Sequence, residues 1–382
     1  MSFSLYIHIP WCQSKCPYCD FNSHAASTWP EAEYTRALII EMTRRAHDSA
    51  WADDRVKTIF FGGGTPSLFE PRSIAHVIDA ADRVFGVESD CEVTLEANPG
   101  TVSYAKLAGM RSAGVNRLSF GAQSFKPAIL KFLGRIHSAE QTREAARIAH
   151  RAGFERLNLD LIFAVPGQTL DDVRSDIAEA VALGPDHISA YNLTFEEGTV
   201  FFTEMKRGRI TPLESDEQAA MYAAVREELP RRGYEMYEIS NYAPRGHEAR
   251  HNLTYWRGES YLGLGAGAHS FERKGAGGRR WWNERSPARY VEHALETSLA
   301  EAGDETVDKG TAEGEFVFLN LRLIDGFRLD DFERRFGEGF ENVFGGRAAR
   351  LFEGGLLVRD GGRIRLSDRG LELADSVFAE FV

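Results

Sequence analysis

Cysteine is scarce in this 382-residue chain, with four in all, which excludes a secreted scaffold built on disulfides. Long apolar runs are missing as well, and none approaches the ~20 residues that a membrane-spanning helix needs. Basic charge is in deficit. Lys and Arg number 45 against 57 Asp and Glu, a net charge of −12, so no broad nucleic-acid-binding face is expected. The start, Met1-Ser2-Phe3-Ser4, lacks the basic-then-apolar pattern of a secretion signal, and cytoplasm is the expected compartment. No internal repeat or low-complexity tail is evident. What remains is ordinary globular composition, 43% hydrophobic and 27% charged, in a chain long enough for two or three domains.

Three of the four cysteines stand together, in Cys12-Gln13-Ser14-Lys15-Cys16-Pro17-Tyr18-Cys19, just past the apolar run Leu5–Ile9. Pro17 and its polar neighbours keep the segment a loop, so the three thiolates can turn towards one point. Such a set suits zinc or an iron–sulfur cluster. Structural zinc wants a fourth protein ligand, and no second Cys or Cys/His pair stands nearby. A four-iron cluster on three cysteines leaves one iron open to another ligand. The fourth cysteine, Cys91, reads as core filling.

From residue 5 to about 200, strand-like and helix-like segments alternate. The predicted strands are Leu5–Ile9, Thr58–Phe61, Glu92–Glu96, Arg117–Phe120, Arg156–Phe163 and His187–Asn192. Between them lie amphipathic stretches such as Leu170–Leu183, with Val173, Ile177 and Val181 at helical spacing and Thr169 with Asp172 as a capping box. Repeated βα units of this length predict a parallel sheet covered by helices, closed or partly closed as a barrel, with ligands at the C-terminal strand ends. Polar and glycine residues cluster at those ends: Gly62-Gly63-Gly64-Thr65-Pro66, Glu96-Ala97-Asn98-Pro99-Gly100, Gly121-Ala122-Gln123-Ser124-Phe125, and Asn158 and Asp160 before Pro166-Gly167. Each alone could be a turn or a satisfied polar group. In register with a cysteine loop, they point to a binding site.

These motifs carry a resemblance. The C-x3-C-x2-C loop with Tyr18 before its last cysteine resembles the signature of the radical S-adenosylmethionine (SAM) superfamily, in which SAM chelates the fourth iron of a 4Fe-4S cluster. Cys-Pro-Tyr-Cys-Asp-Phe, Gly-Gly-Gly-Thr-Pro-Ser, Glu-Ala-Asn-Pro-Gly, Gly-Ala-Gln-Ser-Phe and Val-Pro-Gly-Gln-Thr narrow the likeness to the HemW group of haem chaperones. That group is related to oxygen-independent coproporphyrinogen III oxidase. His251-Asn252-Leu253-Thr254-Tyr255-Trp256 is similar to the HNxxYW motif of the same group. The resemblance implies that Cys12, Cys16 and Cys19 hold the cluster and that Tyr6, Gly63 and Glu96 contact its SAM. Residues matching Tyr18, Gly64, Thr65, Gln123, Arg135 and Asp160 hold a second SAM in the decarboxylating relatives. The plain reading of Asp160 is a buried carboxylate paired with Arg135 or a backbone amide. Two departures count against decarboxylation: Phe21 stands where the enzymes carry a further cysteine, and only five residues precede Tyr6 where they carry an N-terminal extension.

The implied architecture is α/β: a partial (β/α) barrel of radical SAM type over residues 1–235, a connecting region over 236–302, and a smaller α+β winged-helix-like domain over 303–382. The connecting region holds His251, Gly263–Gly267, His269, and Trp281-Trp282 beside Arg279-Arg280. Aromatic faces and arginines could sandwich a porphyrin and pair its propionates, with an imidazole on the iron. The plain reading is a long loop folded over the barrel mouth, and the resemblance is what sets His251 ahead of the other histidines. Towards the C-terminus, helices at Gly314–Leu323, Leu329–Phe336 and Arg347–Glu353 precede a hairpin turning at Asp360-Gly361-Gly362 and a final helix, Gly370–Phe381. Acidic residues outnumber basic ones there, which favours a packing or partner role over DNA binding.

The function expected is a haem carrier with a 4Fe-4S cluster and a SAM site. It would hand haem to an acceptor protein, of the respiratory chain among others, with a homodimer and peripheral membrane association as further expectations. The alternatives are a radical SAM coproporphyrinogen III oxidase, and an electron-transfer protein that leaves the Gly63, Glu96 and Gln123 positions without a role.

Overall fold

The computed structural model describes residues 2–48, 51 and 54–382. Strand and helix alternate through its first half where the punctuation places them. The strands are β1 (Ser2–Ile9), β2 (Arg55–Gly63), β3 (Val87–Ala97), β4 (Arg117–Gln123), β5 (Arg156–Phe163) and β6 (His187–Asn192). The main helices between them are α1 (Glu31–Arg45), α2 (Pro71–Phe85), α3 (Tyr104–Ser112), α4 (Ala139–Arg151) and α5 (Leu170–Ala182). Thr169 caps α5 as expected: its hydroxyl accepts the Asp172 amide at 3.2 Å while the Asp172 carboxylate accepts the Thr169 amide at 3.0 Å.

All six strands are parallel and lie side by side in chain order. Along each, alternate residues differ in kind, as the period-two pleat allows. Leu5, Ile7, Ile59, Phe61, Val93, Leu95, Leu157 and Leu159 pack with Leu38, Met42, Val77, Leu107 and Ala145 of the helices in one apolar core. Each leucine so buried contributes roughly 2 kcal/mol. Between them stand polar residues facing the inside of the curved sheet, where Tyr6 bonds to His8, Thr58 to Ser4, Glu96 to the Gly63 amide and Asn158 to Asp160. Cys91 is buried in the same apolar core.

The connecting region over 236–302, whose plain reading is a long loop, is ordered secondary structure, a correction to that reading. After α6 (Ser215–Arg231) come β7 (Glu235–Glu238), β8 (Asn241–Ala243), α7 (Arg250–Trp256), β9 (Tyr261–Leu264), β10 (His269–Lys274), β11 (Gly277–Asn283), α8 (Pro287–Thr297) and β12 (Glu301–Val307). These strands extend the parallel sheet on both sides, giving the order β12-β11-β10-β9-β1-β2-β3-β4-β5-β6-β8-β7. β9 runs parallel to β1, and β10 to β12 turn back antiparallel. Neither end strand pairs with the other, so the barrel is partial and open, and segment 236–302 is built into its wall.

Beyond β12, a second apolar core gathers Phe316, Phe332, Phe340, Phe344 and Phe381. Helices Lys309–Leu321, Leu329–Phe336 and Phe340–Glu353 precede the predicted hairpin, Leu357–Asp360 with Arg363–Leu366, which Phe327–Arg328 joins as a third strand. The final helix is two short ones, Asp368–Glu372 and Ala374–Phe378, broken at Leu373, whose φ and ψ of −116° and 27° leave the helical region.

Candidate functional site

The cysteine loop leaves β1 and folds over the C-terminal ends of the parallel strands. Cys12, Cys16 and Cys19 are half-buried free thiols. Two of their sulfurs accept hydrogen bonds: the Thr65 hydroxyl, in the strand-end glycine run, donates to Cys12 Sγ at 3.4 Å, and Arg135 Nη1, past the short helix Pro127–Phe132, donates to Cys16 Sγ at 3.2 Å. Cys19 Sγ lies 3.8 Å from Ser23 Oγ. Burial pushes the Cys12 and Cys19 thiols above their ordinary range. Among the described residues, no three His, Cys, Asp or Glu side chains are placed to hold one metal ion. A cluster gives each cysteine its own iron, and donors aimed at sulfur suit bound thiolate, so this loop fits a 4Fe-4S group.

The glycine run lies under the loop. Gly64 donates to the Ile9 carbonyl at 2.8 Å, and Thr65 to that of Trp11 at 2.8 Å. A Cβ on Gly64 would stand 2.5 Å from the Trp11 carbonyl oxygen, and one on Gly63, whose φ is 107°, 2.4 Å from the His8 ring. Only glycine permits this approach. The Gly63 amide donates to Glu96 Oε2 at 3.2 Å. Burial, and then the charge of Asp160, push the Glu96 carboxyl up to about 8. Tyr6 reaches His8 Nδ1 with its hydroxyl at 3.0 Å, and burial followed by Glu96 raises its pKa.

Two cavities meet here. One of about 730 Å³ is lined by Tyr6, Gly63, Glu96, Tyr255, His269 and Trp282. The other, of about 970 Å³, is lined by Tyr18, Cys19, Gln123, Asp160 and again Glu96. Phe21, 59% exposed, borders both. Tyr6, Gly63 and Glu96 thus line one cavity and Tyr18, Gln123 and Asp160 the adjoining one, which shares Glu96, whereas Gly64, Thr65 and Arg135 line neither. A larger cavity of about 1970 Å³ lies apart, between α7, β7 and the C-terminal unit.

Asp160 does not pair with Arg135. It accepts from Asn158 Nδ2 at 2.8 Å and Ser119 Oγ at 3.2 Å, and burial raises its pKa against those bonds. Arg135 instead donates to Cys16 and to the Gly121 carbonyl, 2.9 Å away. Burial works against its charge, yet Tyr18 and Cys16 hold its pKa above the usual range. Gln123 ends β4 at a φ of 65°, a conformation costing a non-glycine residue on the order of 1 kcal/mol. Such strain at a cavity wall fits a side chain held for a ligand.

His251 is 1% exposed. Its Nδ1 bonds to Thr58 Oγ1 at 2.8 Å and its Nε2 to the Tyr255 hydroxyl at 2.9 Å. The ring stacks on Phe60 at 5.0 Å. Burial, then Lys57 and Arg117, lower its pKa to about 3, so the imidazole is neutral. Both ring nitrogens face protein, and Tyr255, not His251, reaches a cavity. The arginines expected to meet propionates are also engaged: Arg279 pairs with Asp304 at 3.1 Å and with Glu301, and Arg280 with Glu305 and Glu315 at 2.5 and 2.6 Å. Trp281 is core, 2% exposed, while Trp282 borders a cavity.

Sequence reasoning passed over Thr58, Ser119, His187, Ser189 and Tyr255, which complete the interior network. Asn158 Oδ1 bonds His187 Nδ1 at 2.7 Å and Ser189 Oγ at 3.1 Å. The signal was present as alternation, since Ser4-x-Tyr6-x-His8 and His187-x-Ser189 put polar side chains on every inward position of strands otherwise apolar.

Comparison with known proteins follows this geometry. The model of the radical SAM superfamily matches residues 6–180, and that of the HemN C-terminal domain matches residues 313–373. The haem chaperone HemW of Bacillus subtilis is 36% identical over 380 residues, covering 99% of each chain. HemW of Escherichia coli is 43% identical over 270 residues, covering 70% of this chain and 69% of that one. A bovine protein named radical S-adenosyl methionine domain-containing protein 1, mitochondrial, is 35% identical, covering 98% of this chain and 86% of its own. Among solved structures, coproporphyrinogen III oxidase (HemN) of Escherichia coli superposes with a TM-score of 0.85 at 22% identity, over 100% of this chain and 90% of that one. That likeness is one of fold.

Proposed function

The chain belongs to the HemW haem chaperone family of the radical SAM superfamily, and from that membership we propose that it binds haem and passes it to an acceptor protein. The observation that carries this reading is the identity to a protein named as a haem chaperone across 99% of both chains. The superfamily implies a 4Fe-4S cluster and SAM. We assign the cluster to Cys12, Cys16 and Cys19, and one SAM to Tyr6, Gly63 and Glu96. Tyr18, Gly64, Thr65, Gln123, Arg135 and Asp160 are assigned to the neighbouring cavity and its rim. In radical SAM proteins the reduced cluster supplies an electron to SAM. Here the chain's own contribution is positional. Thr65 and Arg135 hold the cysteine sulfurs, the Gly63 amide fixes Glu96, and Phe21 stands exposed between the two cavities.

In this reading the chain works by retention and handover. No helix among the described residues is long and apolar enough to cross a membrane. Action in the cytoplasm is proposed, with peripheral membrane contact and a homodimer when a respiratory acceptor is served. The test offers haem-loaded protein to an apo-haem protein and, in parallel, gives cluster-bearing protein coproporphyrinogen III, SAM and a reductant without oxygen. Haem should move to the acceptor and no decarboxylated porphyrinogen should form. Vinyl-bearing product without haem transfer would replace the carrier with the decarboxylase.

A further inference from the structure

The histidines that approach the two cavities differ in what their ring nitrogens already do. His8 borders the smaller cavity, but Tyr6 holds its Nδ1 at 3.0 Å and the Asn22 carbonyl its Nε2 at 2.8 Å. His251 is held at both nitrogens and touches neither cavity. His269 opens β10, borders the smaller cavity, and is exposed. Neither of its ring nitrogens has a hydrogen-bond partner among the described residues. Burial, and then Arg280 and Arg285, lower its pKa, which keeps the imidazole lone pair available.

Its surroundings are as particular. His269 pairs with Trp282 across the β10–β11 ladder, and the two rings stack at 5.9 Å with planes 30° apart. Stacking fixes the plane of an imidazole while leaving its nitrogen-bearing edge free. Arg285 stands exposed on the same wall with no carboxylate partner among the described residues, unlike Arg279 and Arg280. Tyr255 and Phe21 add aromatic faces. At about 730 Å³ the cavity is of the size that holds cofactor-sized ligands. One free imidazole, flat aromatic walls and one unpaired guanidinium are what a planar metalloporphyrin with carboxylate tails requires.

We propose that His269 is the protein's axial ligand to haem iron, with Trp282 fixing its ring and Arg285 meeting a propionate. This rests on the haem-carrier reading and changes the role of His251, which becomes a positioning residue for Tyr255. Tyr6, Gly63 and Glu96 line the same cavity, so bound haem lies beside the position assigned to SAM.

The test is a haem titration of cluster-bearing protein, followed by electron paramagnetic resonance and absorption of the ferric complex, for wild type, His269→Ala and His251→Ala. His269→Ala should bind at least roughly tenfold more weakly, the loss that even outer partners of metal ligands produce. It should also lose the imidazole-ligated spectrum and regain it when free imidazole is added. Folded His251→Ala should keep the wild-type spectrum. An unchanged spectrum in His269→Ala, or its loss in folded His251→Ala with rescue by imidazole, overturns the assignment and leaves the carrier intact. Absence of saturable binding by wild type overturns both.

Discussion

The parallel half of the sheet and its antiparallel extension build the same cavities by different means. In β1 to β6, chemistry sits at strand ends: the cysteine loop, the glycine run, Glu96 and Gln123 each lie at or just past the C-terminal end of a strand. In β10 and β11, it sits on a strand face, where His269 and Trp282 are partners across the ladder. Strand ends hold residues in place through loops that can close over a cofactor. A strand face offers a fixed wall. The first suits a resident cluster and SAM, and the second suits a cargo that must enter and leave.

The strongest way to break this division is at the cysteine loop. Cys16→Ser should reduce bound iron and sulfide from stoichiometric to background while leaving the fold's circular dichroism unchanged; full cluster retention would move the site elsewhere. Next is the joint between the two regions. Glu41 on α1 is fully buried and accepts from Asn283 of β11 and Tyr290 of α8, both at 2.6 Å, and from the Gly265 amide at 3.2 Å. Glu41→Ala strands those donors and should cost about 3 kcal/mol or more in urea unfolding. A loss below 1 kcal/mol would mean that the extension docks without it.

Proton linkage sharpens the comparison further. The folded chain keeps a proton on Glu96 up to about 8, against 4.5 for an ordinary glutamate. Stability from that proton is fully present below 4.5 and is lost as pH rises to about 8. In SAM-free protein, Glu96→Gln should flatten the fall of the thermal midpoint across this window, and an unaltered slope would place the carboxyl in water. The smallest effect is local to the parallel half. Thr169→Ala removes the α5 cap and should cost about 1 kcal/mol by the same urea midpoint, without altering haem binding.

The same contrast governs what the sequence discloses. Arg156–Phe163 and His187–Asn192 match their strands end to end, because an apolar run between a helix-ending glycine and a polar strand end admits one reading. The extension offers no such punctuation. Glu301–Val307 contains three charged residues and one glycine, and it forms a strand only because β11 is there to pair with it. His251 shows the converse limit. A motif marks a residue as particular without saying whether its particularity is to bind a ligand or to hold Thr58 and Tyr255 in place, and burial decides that question. The alternation of inward polar residues was visible in single strands, but its meaning depends on the curvature that brings Ser119, Asn158 and His187 together.

One measurement bears most directly on the haem-carrier account: anaerobic titration of the cluster-bearing chain with haem, read as a binding isotherm. The account predicts saturation at a single equivalent per chain. Linear, unsaturable uptake would contradict it.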